Sequence, residues 1–253
     1  MEINQHVNAV SKNNNLTNNQ NPDPFLVDGS LENISDLIDE SRIKNLLNRW
    51  VFYRDKMDMI NFNKVWSSDG SMHVGFFEGE KDSFMKLIIE KNLDSRHFLS
   101  EPLIKICKER AIAKTYCLLL VRSEKPYLDI FAHIQFYDLL IKESENWKLF
   151  KRYVVFIKDR LDFVRPGPVK MIIYSLLNLF FLRRYPKNAK HLHFVWKKVF
   201  KLDIPKYHPI AYNSREEEAV VRELDGWIKH KETQSYHSKI ILADLVENNT
   251  MCQ

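Results

Sequence analysis

One carboxylate in the sequence occupies a position where an apolar side chain is expected. Leu47, Val51 and Asp55 follow one another at four-residue steps, so on a helix they lie along one line of its surface. A lone carboxylate on a core-facing line is unfavourable unless a partner offsets its loss of hydration. Asp55 is therefore a candidate functional residue, and the chemistry open to it is proton transfer together with a base. The alternative is a structural role, as a cap or ion pair at the helix end.

The histidines late in the chain raise the question of a metal site. His191 and His193 are two residues apart, and His208, His230 and His237 follow. No carboxylate or cysteine stands at the spacing of a known metal motif. The glycine-rich motifs GxGxxG and GxxxxGK[ST] are absent, which fits a count of only 6 glycines. We therefore predict no metal and no cofactor.

The composition is that of a globular protein, which we expect in the cytoplasm. Of the 253 residues, 45% are hydrophobic and 28% charged, enough apolar material for a sizeable core. Cys107, Cys117 and Cys252 show no CxxC spacing, so neither a disulfide framework nor a zinc site is indicated. A reducing compartment fits this pattern. The N-terminus has no basic stretch followed by an apolar run, and we expect no signal peptide.

The elements that would position Asp55 are helices in the first third of the chain. Apolar residues at three- and four-residue steps predict the first of these helices. The predicted elements are a helix at 39–57, a short helix at 59–66, a turn at 68–70, a short strand at 71–77 and a helix at 81–91.

Four β-rich runs follow, at 97–106, 110–121, 127–141 and 147–158. In the third run apolar and polar residues alternate, which indicates a strand with one apolar face. Helices followed by a meander of strands predict an α+β fold, with the helices covering one face of a curved antiparallel sheet.

The sequence predicts three parts. Residues 1–33 are rich in Asn and Gln and predict a disordered tail. Residues 34–162 form the α+β unit. Residues 163–253 contain a Pro-Gly-Pro breaker at 166–168 near their start and predict a mostly helical, basic extension. Within it Ser214 and Glu217 have the spacing of a capping box, which opens a helix that ends near Trp227.

The positive charge is concentrated in one segment. Between Phe163 and Leu202 no residue is acidic, and the formal charge of +5 for the whole chain leaves the remainder net negative. The nine basic residues are Arg165, Lys170, Arg183, Arg184, Lys187, Lys190, Lys197, Lys198 and Lys201. The apolar stretch Met171–Leu182 is shorter than the ~20 residues of a transmembrane helix. Three interpretations remain open: a core or interface helix, a helix on an anionic membrane surface, or a nucleic-acid contact without a recognised module.

Three strings resemble the SnoaL-like (nuclear transport factor 2-like) superfamily, in its scytalone dehydratase and dehydrochlorinase branch. LLNRWVFYRDKMD at 46–58 resembles the first helix, which runs through an aromatic-rich turn to an Asp that is followed by two residues and then a second Asp. RHFLS at 96–100 resembles the first long strand, and NWKLFKR at 146–152 the last strand, which ends in Arg. The resemblance covers residues 35–160.

The resemblance implies a cone-shaped pocket between helices and sheet, a homodimer, and a catalytic pair made of Asp55 and His97. A neutral histidine, with an unperturbed pKa of roughly 6.5, can accept a proton near pH 7. A carboxylate on its other ring nitrogen fixes the tautomer and stabilises the imidazolium. The chain departs from the family pattern at Glu101, where Asn is common, at Asn146, which replaces Gly, and at 134–136, which replaces Gly-x-Tyr.

Five further residues are candidates for substrate binding. Arg152 could bind an anionic or carbonyl group, and Tyr53 a substrate oxygen. His133 and Tyr137 share one face of their strand, and His73 lies on the short early strand. The alternatives are an outward-facing Arg152, a packed Tyr53, and a strand face that meets solvent or a partner subunit.

The predicted function is that of a lyase, dehydratase or isomerase without a cofactor. Its Asp–His dyad would abstract a proton from a small apolar or polyketide- or steroid-like substrate. Two alternatives stay open: a non-catalytic ligand-binding or assembly subunit, as the small subunits of ring-hydroxylating dioxygenases are, and a peripheral membrane protein that uses residues 163–202.

Overall fold

Helices flank a mostly antiparallel sheet on both of its faces. The computed structural model describes residues 24–25, 34–124, 127–163, 167–180, 182–202 and 209–229. The helices are α1 (Ile34–Asp55), α2 (Met59–Lys64), α3 (Lys81–Glu90), α4 (Pro168–Phe180), α5 (Lys190–Lys198) and α6 (Arg215–Ile228), with a 3-10 turn at Leu182–Arg184. The strands are β1 (Trp66–Val74), β2 (Phe77–Glu80), β3 (Ser95–Leu99), β4 (Leu103–Cys107), β5 (Arg110–Glu124), β6 (Tyr127–Glu143), β7 (Asn146–Phe163) and β8 (Ile210–Ala211).

The predicted α+β class is confirmed, with helices preceding a meander of long strands. The sheet order is β2-β1-β7-β6-β5-β3, while β4 also pairs with β5 and β8 with β7. The β5–β6 and β6–β7 ladders are antiparallel, whereas β1 and β8 run parallel to β7. Apart from residues 24–25, the tail predicted to be disordered lies outside the described residues.

The first predicted strand run is two strands. β3 and β4 both pair with β5, and the chain leaves the ladder between them at 100–102. Pro102 stands in this break and has no amide hydrogen to donate to a ladder. β3, which carries His97, is therefore a short strand at the end of the sheet path.

β1 begins earlier than the sequence predicts. Ser68, Asp69 and Gly70, predicted as a turn, lie inside the strand, where its pairing with β7 is irregular between Trp66 and Ser71. A Cβ at Gly70 would come within 2.8 Å of the Trp66 side chain, so glycine lets the backbone pass close to the indole. The turn signal therefore marks a bulge within a strand.

The alternation in β6 separates two faces of the sheet, as predicted. Ile134 and Phe136 belong to the core beneath α1, and this side is called the inner face. Tyr137 and Leu139 belong to a second core on the other side, the outer face. The β6–β7 ladder has two register shifts, between His133 and Ile134 and between Leu139 and Leu140, of the kind that β-bulges produce.

Helices from both ends of the chain cover the inner face. Ile43, Leu47 and Trp50 are buried on one side of α1, at the three- and four-residue steps that predicted this helix. α5 contributes Leu192 and Trp196 to the same core. A helix of the predicted extension thus completes the core of the predicted α+β unit.

α6 covers the outer face. Val220, Leu224 and Ile228 recur at four-residue steps and are buried in the second core. Ser214 Oγ accepts a hydrogen bond from the Glu217 amide at 3.2 Å, so the helix begins at the predicted cap. The sheet is therefore enclosed between two layers that both include residues beyond β7.

Candidate active site

Asp55 and His97 meet where the end of α1 crosses β3. Asp55 Oδ1 lies 2.6 Å from His97 Nδ1, and Asp55 Oδ2 accepts a hydrogen bond from the His97 backbone amide at 2.8 Å. The carboxylate therefore holds both the ring and the backbone of the same histidine. Each side chain is nearly buried, with 11% of Asp55 and 7% of His97 exposed.

Asp58, the second Asp of the first string, has a different place. Its side chain caps α2 and accepts hydrogen bonds from the Asn61 amide at 3.1 Å and the Asn61 side chain at 2.7 Å. This cap ends the α1–α2 turn, so the second Asp is a structural residue next to the dyad.

Two arginines hold the carboxylate end of the site. Arg54 Nη1 donates to the Leu93 carbonyl at 3.1 Å and lies 3.8 Å from Asp55 Oδ1. Arg96 Nη1 donates to the Asp55 carbonyl at 3.3 Å, at the C-terminal end of α1. Burial lowers the pKa of Arg54 to about 10, which leaves the guanidinium charged at neutral pH.

His97 lies among aromatic rings. Its ring centroid is 5.7 Å from that of Trp50 and 6.1 Å from that of Phe136. Burial lowers the pKa of His97 below 6.5; the hydrogen bond to Asp55 opposes this, and the charges of Arg54 and Arg152 add to it. The imidazole is therefore neutral at pH 7.

The hydrogen bonds of the dyad fix the histidine tautomer. With Asp55 ionised, Nδ1 carries the hydrogen and donates it, and Nε2 keeps its lone pair. Within the described part of the chain no group hydrogen-bonds Nε2. Nε2 is thus the nitrogen that can accept a proton.

His97 forms part of the wall of an apolar cavity on the inner face. The cavity has about 520 Å³ of empty space, counting the part open to solvent. Trp50 of α1, Ile134 and Phe136 of β6, and Trp196 and Phe200 from α5 and the residues after it line the cavity. Arg54, Asp94, Ser95 and His97 are its polar residues.

Ser95 brings a second polar atom to the same strand. It lies two residues before His97 on β3 and is buried. Ser95 lines the cavity, and its buried Oγ has no hydrogen-bond partner among the described residues. A hydroxyl in this position can donate to or accept from a ligand.

Arg152 is neither an outward strand residue nor a member of the cavity wall. It is fully buried and forms a bidentate ion pair with Asp138, with Nε–Oδ1 at 2.6 Å and Nη2–Oδ2 at 2.8 Å. Its guanidinium carbon lies 4.1 Å from the Trp50 ring and 4.2 Å from the Phe136 ring. Nη1 has no partner among the described residues. Arg152 therefore sits directly behind two rings of the cavity.

Tyr53 and Tyr137 do not line this cavity. Tyr53 packs its ring against Phe52, at 5.7 Å between centroids. Tyr137 is buried on the outer face, where its hydroxyl donates to Glu217 at 2.6 Å. Its alternation with Phe136 places it on the opposite side of the sheet from the dyad.

His73 and His133 also lie away from the cavity. His73 is on β1, 5.6 Å from the Tyr153 ring and 3.5 Å from a Glu78 carboxylate oxygen. His133 is exposed on β6. Both belong to the outer side of their strands, so the structure does not bring them to the dyad.

The sequence reasoning missed most of the cavity wall. Arg54 and Ser95 are neighbours of the predicted pair, and their closeness in the chain was the available signal. Trp196 and Phe200 come from the extension about 100 residues beyond His97, and no spacing rule connects the two regions.

The histidines considered for a metal have other surroundings. His191 Nδ1 lies 2.8 Å from Asp159 Oδ1 at the start of α5. No cluster of three or more potential metal ligands occurs in the ranges that the structure describes. His208, His230 and His237 lie outside those ranges.

Comparison with known proteins adds a family to this geometry. Residues 35–153 match the family described as the SnoaL-like domain. No curated protein matches the chain.

Among solved structures, a candidate scytalone dehydratase from Novosphingobium aromaticivorans DSM 12444 is 16% identical, with a TM-score of 0.47 over 53% of this chain and 93% of that one. A type 2 hexachlorocyclohexane dehydrochlorinase is 11% identical, with a TM-score of 0.47 over 52% of this chain and 96% of that one. A dehydrochlorinase of type 3 from Novosphingobium barchaimii LL02 is 14% identical, with a TM-score of 0.43 over 52% of this chain and 92% of that one. The family match, on an α+β fold with the dyad at an inner-face cavity, shows that this chain contains a SnoaL-like domain at residues 35–153.

Proposed function

We propose that the protein is a lyase or isomerase in which His97, oriented by Asp55, abstracts a proton from carbon without a cofactor. The observation that carries the proposal is the 2.6 Å contact between Asp55 Oδ1 and His97 Nδ1 at the wall of an apolar cavity. This arrangement leaves Nε2 as the base, which is what proton abstraction needs.

The proposed reaction begins with transfer of an acidic C–H proton to His97 Nε2. The electron pair of that bond then forms a double bond while a leaving group departs from the adjacent carbon, which is an elimination. If no group leaves, the proton returns at another carbon and the result is an isomerisation. In both cases Asp55 stabilises the imidazolium that forms.

Positive charge near the dyad acts on both the base and the substrate. Arg54 lies at the cavity and Arg152 behind its aromatic wall, and both charges lower the pKa of His97. The same positive potential stabilises the negative charge that develops on a substrate carbonyl as the proton leaves. A substrate whose acidic carbon lies next to a carbonyl would gain most from it.

The cavity wall supports the substrate class. Aliphatic and aromatic side chains form most of it, so its ligand should be largely apolar. Ser95 Oγ is a free polar atom near the base and suits one hydroxyl or carbonyl of that ligand. A small polyketide- or steroid-like ketone has this combination.

The test compares His97→Ala with His133→Ala, a matched change at an exposed histidine outside the cavity. A panel of apolar ketones carrying a hydroxyl or halide β to the carbonyl is incubated in D₂O without cofactor, and mass spectrometry records deuterium uptake and loss of the leaving group. We expect turnover by the wild type and by His133→Ala. For His97→Ala we expect a fall of about 10²–10⁴-fold, the usual contribution of a general base.

The same panel tests the non-catalytic alternative. A ketone that binds the wild type, yet exchanges no deuterium and loses no group, would point to a ligand-binding or assembly subunit. Equal turnover by the wild type and His97→Ala would contradict the proposed base.

A further inference from the structure

α4 presents apolar side chains to solvent. Six of its large apolar residues are between 46% and 62% exposed: Met171, Ile172, Ile173, Leu176, Leu179 and Phe180. Single exposed apolar residues are ordinary on a protein surface. Six on a helix of 13 residues form a patch of the kind that marks an interaction site.

The charge around α4 points to the kind of partner. The segment from Phe163 to Leu202 has nine basic residues and no acidic one. Five of these are exposed in the structure: Arg183, Lys187, Lys197, Lys198 and Lys201. No carboxylate among the described residues forms an ion pair with any of these five. The segment therefore combines an apolar helix with uncompensated positive charge.

We infer that α4 and the exposed basic residues after it form a membrane-contact surface for bilayers that carry anionic lipid. Such a helix lies in the plane of the bilayer, with apolar side chains at the acyl boundary and Lys and Arg at the headgroups. At 1.5 Å per residue α4 is about 20 Å long, shorter than the ~30 Å hydrocarbon core. None of the described helices is long and apolar enough to cross a membrane.

A second copy of the chain is the other occupant that an apolar helix could have. A symmetric dimer through α4 would bring the same surface of each copy together. Two acid-free, basic segments would then face each other and repel. An anionic lipid surface instead attracts the positive charge while it covers the apolar residues.

The membrane-contact surface is connected to the cavity through the chain. The 3-10 turn and α5 follow α4, and Trp196 of α5 lines the cavity. Docking would thus hold one wall of the cavity next to a phase in which apolar substrates concentrate. This last link rests on the proposed function, whereas membrane binding does not.

The test is flotation of the full chain with vesicles of phosphatidylcholine alone or of phosphatidylcholine with phosphatidylserine. We expect flotation with the phosphatidylserine vesicles, weaker flotation without the anionic lipid, and release by high salt. Absence of flotation, or equal flotation with both vesicles, would overturn the inference. Neither result depends on catalytic activity.

Two pairs of variants locate the surface. Ile172→Gln with Leu176→Gln should lose flotation, while Ile34→Gln with Ile60→Gln, at exposed positions outside α4, should keep it. Each basic residue near an anionic surface contributes roughly five-fold to the affinity. Arg183→Glu combined with Lys187→Glu should therefore weaken binding to the anionic vesicles by about 30-fold or more. Lys86→Glu with Lys91→Glu is the matched charge control on α3 and the turn after it.

Circular dichroism checks that these variants are folded, and light scattering measures their oligomeric state. All substituted residues are exposed, so we expect unchanged spectra. If the α4 variant floats like the wild type, the inference fails. It also fails if the wild type does not float and the α4 variant converts a dimer to a monomer, because the occupant is then a second copy.

Discussion

The Asp55 carboxylate contacts His97 at two points, the ring Nδ1 and the backbone amide. These contacts fix the orientation of the imidazole before a ligand binds. The pair is nearly buried, and burial acts on the imidazole more strongly than the hydrogen bond does, since the pKa of His97 is lowered. A histidine that stays neutral to lower pH can act as a base only if its second ring nitrogen is free to accept a proton. The contacts of His97 meet that condition at Nε2.

The pH dependence of catalysis is the first prediction. Because the pKa of His97 lies below 6.5, kcat/KM should rise with pH through a single step below 6.5 and stay level to neutral pH. Titration of the His97 ring followed by NMR should give the same midpoint. A midpoint above 6.5 would contradict the assignment of burial as the dominant cause.

Asp55→Asn is the matched variant for this pH step. It removes the charge that opposes burial, so the pKa of His97 should fall further. The amide no longer secures the Nδ1–H tautomer, and turnover should drop by about 100-fold or more, since the equivalent change in hydrolase triads costs roughly 10⁴-fold.

The lowered pKa of His97 in the wild-type protein also affects the stability of the fold. A histidine whose folded-state pKa lies below its unfolded value binds fewer protons when folded. Its contribution to the free energy of unfolding is therefore present above pH ~6.5 and is lost as the pH falls from 6.5 through the folded-state pKa. His97→Gln should remove this part of the pH dependence.

The residues differ in how far the sequence could identify them. Asp55 was found from the sequence because a carboxylate on an apolar helical line is unusual. His97 was found only through the family resemblance, since a histidine at a strand start has no distinguishing spacing. Arg152 was singled out, but its burial and its pairing with Asp138 depend on the β6–β7 register, which sequence spacing does not give.

At the scale of elements, a carboxylate on β7 holds α5 over the cavity. Asp159 Oδ2 accepts hydrogen bonds from the His191 amide at 2.7 Å and the Leu192 amide at 2.8 Å. Asp159 Oδ1 lies 2.8 Å from His191 Nδ1. This repeats the contact pattern of the dyad, but here it satisfies free amides at a helix N-terminus.

Asp159→Ala should weaken the attachment of α5, which carries the cavity residue Trp196, and leave the contacts of His97 unchanged. Losing a helix cap and leaving buried donors unpaired should lower the free energy of unfolding by about 2–3 kcal/mol. KM should rise while kcat changes less, because α5 carries Trp196 but not His97. Steady-state kinetics and denaturant unfolding measure the two effects.

The control for Asp159→Ala is Asp162→Ala, three residues further along β7. Asp162 is half-buried, and its carboxylate pairs with the exposed Arg160 at 3.3 Å. We expect a change within about 0.5 kcal/mol and unaltered kinetics. A fall in kcat alone for Asp159→Ala would mean that α5 acts on the chemistry rather than on binding.

Most elements could be predicted because their patterns are local. The periodicity of α1, the alternation in β6 and the Ser214 cap of α6 each depend on residues within a few turns or one strand. The bulge at Gly70 was predicted as a turn, because a glycine signal is the same whether the chain reverses or passes close to Trp66. The position of α5 over the cavity required contacts between distant parts of the chain.

For the molecule as a whole, the helices after β7 complete both cores of the sheet. α5 joins the inner core and α6 forms the outer one. Tyr137 of β6 and Glu217 of α6 are hydrogen-bonded across this outer core at 2.6 Å. The predicted extension and the SnoaL-like domain therefore share their buried surfaces, and we expect them to unfold together.

Leu224→Ala tests this cooperativity. Leu224 is fully buried in the outer core, so its truncation should lower the free energy of unfolding by about 2–5 kcal/mol. Since the two cores enclose one sheet, the whole transition should move to lower denaturant concentration as a single step with an unchanged m-value. Arg222→Ala, at an exposed position on the same helix, should leave it within about 0.5 kcal/mol. A separate early transition for Leu224→Ala, with the rest unmoved, would show instead that α6 unfolds independently of the sheet that carries the dyad.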